Sequence, residues 1–273
     1  MISSKPLITD PIIEVRDLVK RYGDFAAVDG VSFAVPAGSI FGFLGPNGAG
    51  KTTIVKMLTT VLRPTGGSIS INGYDPAHAQ RRVRESFGIV FQDSSLDSEL
   101  TALENLELHG VLYGVPSGIR RRRMGELLNL VELWDRRNAF VKTFSGGMKR
   151  RLEIARALLH EPPIIFLDEP TIGLDPQTRN HIWQYIQTLN TERHITVFFT
   201  THYMDEADRV ANEVAIIDRG KIVSRGSPDA IKAQVQAATL EDAFISLTGE
   251  AMRTEEGSSL DQMRALGKAW GRR

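Results

Sequence analysis

Apolar and polar positions along the chain switch between two spacings. Residues 12–18 alternate, as do residues 25–35, with Gly23-Asp24 between them, which predicts two strands joined by a turn. Residues 39–44 form a short apolar, β-prone run, and residues 53–62 carry the spacing of an amphipathic helix. A strand over 68–71 should end at the Asn72-Gly73 turn, and a short buried strand over 87–91 should end at Gln92. Over 99–140 the strand signal disappears. Leu103, Leu106, Leu108 and Leu112, then Met124, Leu127, Leu128 and Val131, follow helical spacing and predict an inserted helical subdomain. A helix over 145–159, an apolar strand over 164–167, a helix over 177–189 and a strand over 195–199 follow. Strands alternating with helices imply a mostly parallel α/β sheet. Beyond about residue 226 the pattern weakens. Residues 240–247 suggest a short helix, and the Gly, Ser and mixed charge of 249–273 suggest a flexible tail.

Composition narrows the class without changing this picture. The chain has 273 residues, 42% hydrophobic and 24% charged, which is ordinary for a globular protein with one large domain or a domain and subdomain. Lys+Arg and Asp+Glu are 33 each, so the basic excess common in nucleic-acid binders is missing, and no nucleic-acid partner is expected. Zero Cys excludes disulfides, thiolate zinc sites and Fe–S ligation by this chain. No secretory signal is visible, and no apolar run approaches the roughly 20 residues a spanning helix needs. A soluble chain, or one held at a membrane by a partner, is expected. The run Arg120-Arg121-Arg122-Arg123 points in several directions on a helix and reads as a solvated face, and Lys149-Arg150-Arg151 suggests only a local field.

The candidate chemistry starts at Gly45-Pro46-Asn47-Gly48-Ala49-Gly50-Lys51-Thr52, which fills the phosphate-loop pattern G-x-x-x-x-G-K-[ST] between a predicted strand and a predicted helix. Glycines let backbone N–H groups curl around phosphate oxygens, and a helix N-terminus adds donors and a positive dipole end. Lys51 would reach the β- and γ-phosphates and Thr52 would ligate Mg²⁺. The strand over 164–167 delivers Asp168 and Glu169 at its carboxyl end, where nucleotide sites of α/β sheets lie. Asp168 suits Mg²⁺, and Glu169 suits a general base for an attacking water. Ser145-Gly146-Gly147 reads as a helix start with Ser145 as N-cap, and Asp175-Pro176 as another.

In this order and spacing the motifs resemble the nucleotide-binding subunit of an ATP-binding-cassette (ABC) transporter, over about residues 12–248. Tyr22 sits where the family has its adenine-stacking aromatic, and Gly45 to Thr53 where it has the phosphate loop, Thr53 included. Gln92 resembles the glutamine leading into the helical subdomain, Ser145-Gly146-Gly147 the signature, Asp168-Glu169 the strand-end carboxylates, Gly173-Leu174-Asp175-Pro176 the following loop, and His202 the switch histidine. The resemblance implies a P-loop NTPase core of ABC type with an antiparallel β subdomain and a helical subdomain at about 93–150. The 249–273 tail lies outside it. It implies ATP and Mg²⁺, with Thr52, Gln92 and Asp168 toward the metal, and Lys51, Glu169 and His202 as the catalytic set. The partners it implies are a separate integral-membrane permease and a head-to-tail homodimer. In that dimer Ser145, Gly146, Gly147 and Asp175 would complete the other subunit's site, at the cytoplasmic membrane face. Phe144 and Met148 depart from the common Leu and Gln around the signature. Ser145-Gly146-Gly147-Met148 together with Thr201-His202-Tyr203-Met204-Asp205-Glu206-Ala207 resembles the branch that exports drugs and polysaccharides. The alternative is an ABC ATPase without a permease, serving repair, translation or cofactor assembly.

Overall fold

The computed structural model describes residues 11–249. The expected tail beyond Gly249 and the first ten residues lie outside the described part. The elements run β1 (Pro11–Tyr22), β2 (Phe25–Pro36), β3 (Ile40–Leu44), α1 (Lys51–Leu58), β4 (Gly66–Ile71), α2 (Gln80–Glu85), β5 (Phe87–Val90), α3 (Ala102–Leu112) and α4 (Ser117–Leu130). Then come α5 (Gly146–Leu158), β6 (Ile164–Asp168), α6 (Pro176–Arg193), β7 (Thr196–Thr201), α7 (Met204–Val210), β8 (Glu213–Asp218), β9 (Lys221–Gly226), α8 (Pro228–Gln234) and α9 (Leu240–Thr248).

Two sheets result. One is antiparallel, ordered β2-β1-β4; the other has six strands ordered β5-β6-β7-β3-β8-β9 and is parallel except for the β8–β9 pair. The fold class matches the expected P-loop core with an antiparallel β subdomain and added helices. The central strands β3, β6 and β7 are buried at every position and mostly apolar, because both faces are covered. Ile165, Leu167, Val197 and Phe199 join a core shared with α3 to α6, while Ile164, Phe166, Phe41, Phe43 and Phe198 join one under the small sheet and α1. Phe33 of β2 fastens the two sheets, its ring centroid 5.7 Å from Phe41 and 6.0 Å from Phe198.

Some boundaries differ from expectation for local reasons. α1 begins at Lys51 rather than 53, which puts Lys51 and Thr52 in its first turn, and it stops at Leu58, where Thr59-Thr60-Val61 turns away with Thr60 at φ 63°. The elements α2, α7, β8, β9 and α8 were not singled out; each spans only six or seven residues, under two helical turns, too short to establish a period. The arginine run is not one solvated face. Arg120 donates to the Val115 carbonyl (2.6 Å) and pairs with Glu107, and Arg123 pairs with Glu161, so these two tie α4 inward while Arg121 and Arg122 stay exposed.

His109 of α3 stacks on Tyr113 just past its end at 4.5 Å between ring centroids, Tyr113 stacks on His160 just past α5 at 4.0 Å, and His160 Nε2 donates to the Phe87 carbonyl at 3.0 Å. Burial pushes both imidazoles down, His109 to about 3 and His160 to about 4, with nearby arginines adding to it. The unfolded chain therefore takes up protons near its ordinary histidine range while the folded chain does not. The histidines' contribution to stability should fall as pH drops from about 6.5, by roughly 1.4 kcal/mol per unit for each, and level off below about 4 for His160 and about 3 for His109. Urea unfolding between pH 6 and 4 should show a shallower pH slope for His109→Phe than for the parent; equal slopes would contradict the assignment.

Candidate active site

Strands β6, β7 and β3 are adjacent and parallel, with Asp168 beside Thr200 and Leu44 beside Thr201. Their carboxyl ends are therefore level, and the segments leaving them meet. From β3 the chain enters the glycine loop. Gly45 has no room for a side chain, since a Cβ would press into the Ile217 carbonyl, and on Gly50 it would lie 2.6 Å from the Ala27 carbonyl. The β8–β9 hairpin holds this loop from behind, with Gly220 N–H donating to the Ala49 carbonyl at 3.0 Å. Gly48, at φ 82° and exposed, faces open space where a Cβ would be. Gly50 caps α1 and has no side chain of its own to accept from the first-turn N–H groups. A rear wall that fits closely, an open front and a helix N-terminus make a cradle that suits phosphate.

Lys51 is 6% exposed, and its ammonium donates to the Gly45 carbonyl at 2.6 Å and the Pro46 carbonyl at 3.3 Å. The same Nζ lies 3.6 Å from Glu169 Oε1, and His202 Nδ1 lies 2.9 Å from Glu169 Oε2. Lys51, Glu169 and His202 thus form one continuous contact, in which each carboxylate oxygen has its own cationic or N–H partner.

Asp168 and Glu169 are adjacent and buried, yet pushed in opposite directions. For Asp168, burial dominates and raises its pKa, assisted by the Glu169 charge and opposed by the Thr200 hydroxyl at 2.6 Å. For Glu169, burial also raises, but the His202 hydrogen bond and the Lys51 charge outweigh it and hold the group below its ordinary range. An ionised Glu169 only accepts, so His202 Nδ1 is the donor.

Glu169 also has an unusual backbone, at φ 49°. A non-glycine residue there stores of order 1 kcal/mol or more and persists only where its neighbours hold it. Its N–H donates to Thr200 (Oγ1 at 3.0 Å, carbonyl at 3.2 Å), and its carbonyl accepts from Arg150 Nη2 at 3.3 Å. In the sequence Thr200 carries no signal of its own, and Arg150 reads only as part of a local field. Thr200 is one of two threonines at the end of an apolar strand, and only strand pairing shows that it bridges both acidic residues. Arg150 belongs to a basic run whose neighbours reach the surface, yet it is buried itself.

The other expected residues form separate groups. Tyr22 is 52% exposed at the hairpin end opposite Phe25, with Lys20 Nζ 5.2 Å from its ring centroid, so its ring can take an aromatic base. Thr52 and Thr53 are half-buried in the first turn of α1, and Gln92 is exposed beyond β5. Ser145 caps α5 by accepting from Met148 N–H at 3.3 Å, and Asp175 caps α6 by accepting from Thr178 N–H at 3.0 Å. A Cβ on Gly147 would lie 2.6 Å from Thr178, so the Ser145-Gly146-Gly147 segment rests on the start of α6. The cap readings of Ser145 and Asp175 are structural facts, compatible with a further role.

Comparison with known proteins agrees with this geometry. The family model described as ABC transporter matches residues 28–172. The daunorubicin/doxorubicin resistance ATP-binding protein DrrA of Streptomyces peucetius is 42% identical over 228 residues, 84% of this chain and 69% of that protein. Nod factor export ATP-binding protein I of Ralstonia nicotianae is 43% identical over 219 residues, 80% of this chain and 68% of that one. Among solved structures, a dimeric ATP-binding cassette in a post-hydrolysis state bound to ADP and Pi superposes with TM-score 0.72 at 29% identity, covering 79% of this chain and 98% of that chain.

Thr200→Val keeps the shape of the side chain and removes the hydroxyl that Asp168 accepts from. It should destabilise the protein by about 1–3 kcal/mol in urea unfolding near pH 7. A change within a few tenths of a kcal/mol would show that the hydroxyl does not hold Asp168.

Proposed function

The chain belongs to the ABC transporter family, whose ATP-binding subunits hydrolyse ATP to power transport, and we propose that it is the ATPase of an exporter whose permease is a separate chain. The observation that carries this reading is the buried contact from Lys51 through Glu169 to His202 at the mouth of the glycine loop. ATP is the substrate, with Tyr22 toward the adenine and the backbone of residues 45–53 toward the phosphates. Lys51 sits where it can serve either Glu169 or phosphate. As it turns to phosphate it would leave Glu169 a stronger base. Glu169 then takes the proton of the attacking water, and His202 Nδ1 keeps the carboxylate aimed. Thr52, Gln92 and Asp168 supply the oxygen donors that Mg²⁺ favours, and the bound ion would offset charge on the transferring phosphoryl group. Most of the rate enhancement would be positioning and electrostatics.

A homodimer completes the site in this reading. Ser145, Gly146 and Gly147, at the start of α5, and Asp175, at the start of α6, would close the partner's nucleotide against its glycine loop, in line with the similarity to a dimeric cassette. Among the described residues no helix is long and apolar enough to cross a membrane, so the transport path would belong to the permease. The chain would sit against it at the cytoplasmic face. The relatives' names concern drug resistance and Nod factor export, which favours an exporter of drug-like, hydrophobic or polymeric cargo.

Two measurements check the proposal. Glu169→Gln should keep ATP affinity and lose about a hundredfold or more in turnover; near-parental turnover would remove Glu169 from the role of base. Tagged chain recovered from gently solubilised native membranes should retain a stoichiometric polytopic membrane protein. Recovery only with ribosomes, DNA or assembly factors would leave the ATPase standing and overturn the exporter.

A further inference from the structure

Arg150 is 6% exposed and lies in the second turn of α5. Its guanidinium spans three backbone carbonyls and one carboxylate. Nη1 donates to Phe91 O at 2.6 Å and to Glu153 Oε2 at 3.2 Å, and Nη2 to Gln92 O and Glu169 O, both at 3.3 Å. Two of those carbonyls belong to residues assigned above to the reaction. One turn on, Glu153 Oε1 accepts from Ser95 N–H at 2.9 Å, and Arg156 donates to Ser95 O at 2.7 Å. The spacing of three puts all three side chains on one face of α5, which clasps the backbone of residues 91–95.

Taken alone, the buried Arg150–Glu153 pair is a weak argument for stability. What distinguishes it is where the donors go. Glu169 is held left-handed by donation of its N–H to Thr200 on one side and by acceptance at its carbonyl from Arg150 on the other. Releasing the carbonyl would let the Glu169 peptide rotate and would swing the carboxylate away from His202. The same release would free Gln92. A planar fork that reaches two chain segments at once is specific to arginine, since a lysine ammonium supplies donors without that geometry.

We propose that Arg150 is a positioning residue for hydrolysis, acting by fixing the Glu169 backbone to helix α5. The inference rests on the assignment of Glu169 as base. Its effect should appear in kcat rather than in ATP affinity, because Arg150 is placed to hold the base and not the glycine loop.

The test is steady-state and single-turnover ATP hydrolysis by Arg150→Gln, Arg150→Lys, Glu169→Gln and the double variant Arg150→Gln/Glu169→Gln, below each variant's melting temperature. Arg150→Gln should lower kcat at least about tenfold with ATP affinity within about threefold, and Arg150→Lys should fall between it and the parent. Because Arg150 acts through Glu169, adding Arg150→Gln to Glu169→Gln should cost less than about threefold more. Should Arg150→Gln fail to fold, Arg150→Lys alone and with Glu169→Gln carries the same comparison. Arg150 variants within threefold of the parent kcat, or factors that multiply in the double variant, would overturn the proposal. Parental turnover by Glu169→Gln itself would instead overturn the assignment of the base, and that single variant distinguishes the two failures.

Discussion

The side-by-side parallel pairing of β6, β7 and β3 is the constraint on which the site depends. Parallel pairing in level register brings three chain exits to one edge of one sheet, neighbouring strands lying about 4.8 Å apart. The exit from β3 carries Lys51, that from β6 carries Asp168 and Glu169, and that from β7 carries Thr200 and His202. The three groups are far apart in sequence, at 51, 168–169 and 200–202. Both faces of those strands are packed with Phe, Ile, Leu and Val, so a register slip would expose or bury the wrong set on both sides at once. The core therefore specifies the alignment that catalysis needs.

Within that frame, the two carboxylates are differentiated by their partners. Both are buried next to each other, which would raise both. Glu169 escapes because Lys51 and His202 each take one of its oxygens, whereas the partner shown for Asp168 is a neutral hydroxyl. One carboxylate is therefore kept charged and aimed, and the other is left suited to a cation that would supply the missing positive charge. The left-handed backbone at Glu169 belongs to the same arrangement: it turns the residue out of the line of β6 and toward His202.

The sequence made the glycine loop, the acidic strand end and the fold class legible because each is enforced by local sterics or periodicity. Gly45 and Gly50 are written into the chain because a Cβ would strike the Ile217 and Ala27 carbonyls. The apolar runs at β6 and β7 follow from covering both sheet faces. Arg150 and Thr200 were not legible, since their importance lies in which distant carbonyls and carboxylates they meet. Arg120 and Arg123 show the same limit: four arginines in a row look alike in sequence, and helix phase alone turns two of them inward. The short elements between 204 and 235 escaped notice because six or seven residues cannot show a period.

If each site is closed by a second copy, hydrolysis depends on association. Specific ATPase activity of the purified chain, measured against its own concentration from nanomolar to tens of micromolar at saturating MgATP, tests this most directly. The account predicts that activity per chain rises with concentration and reaches a plateau as the pair forms. Activity per chain that stays constant over the whole range, while sedimentation shows a monomer, would contradict it.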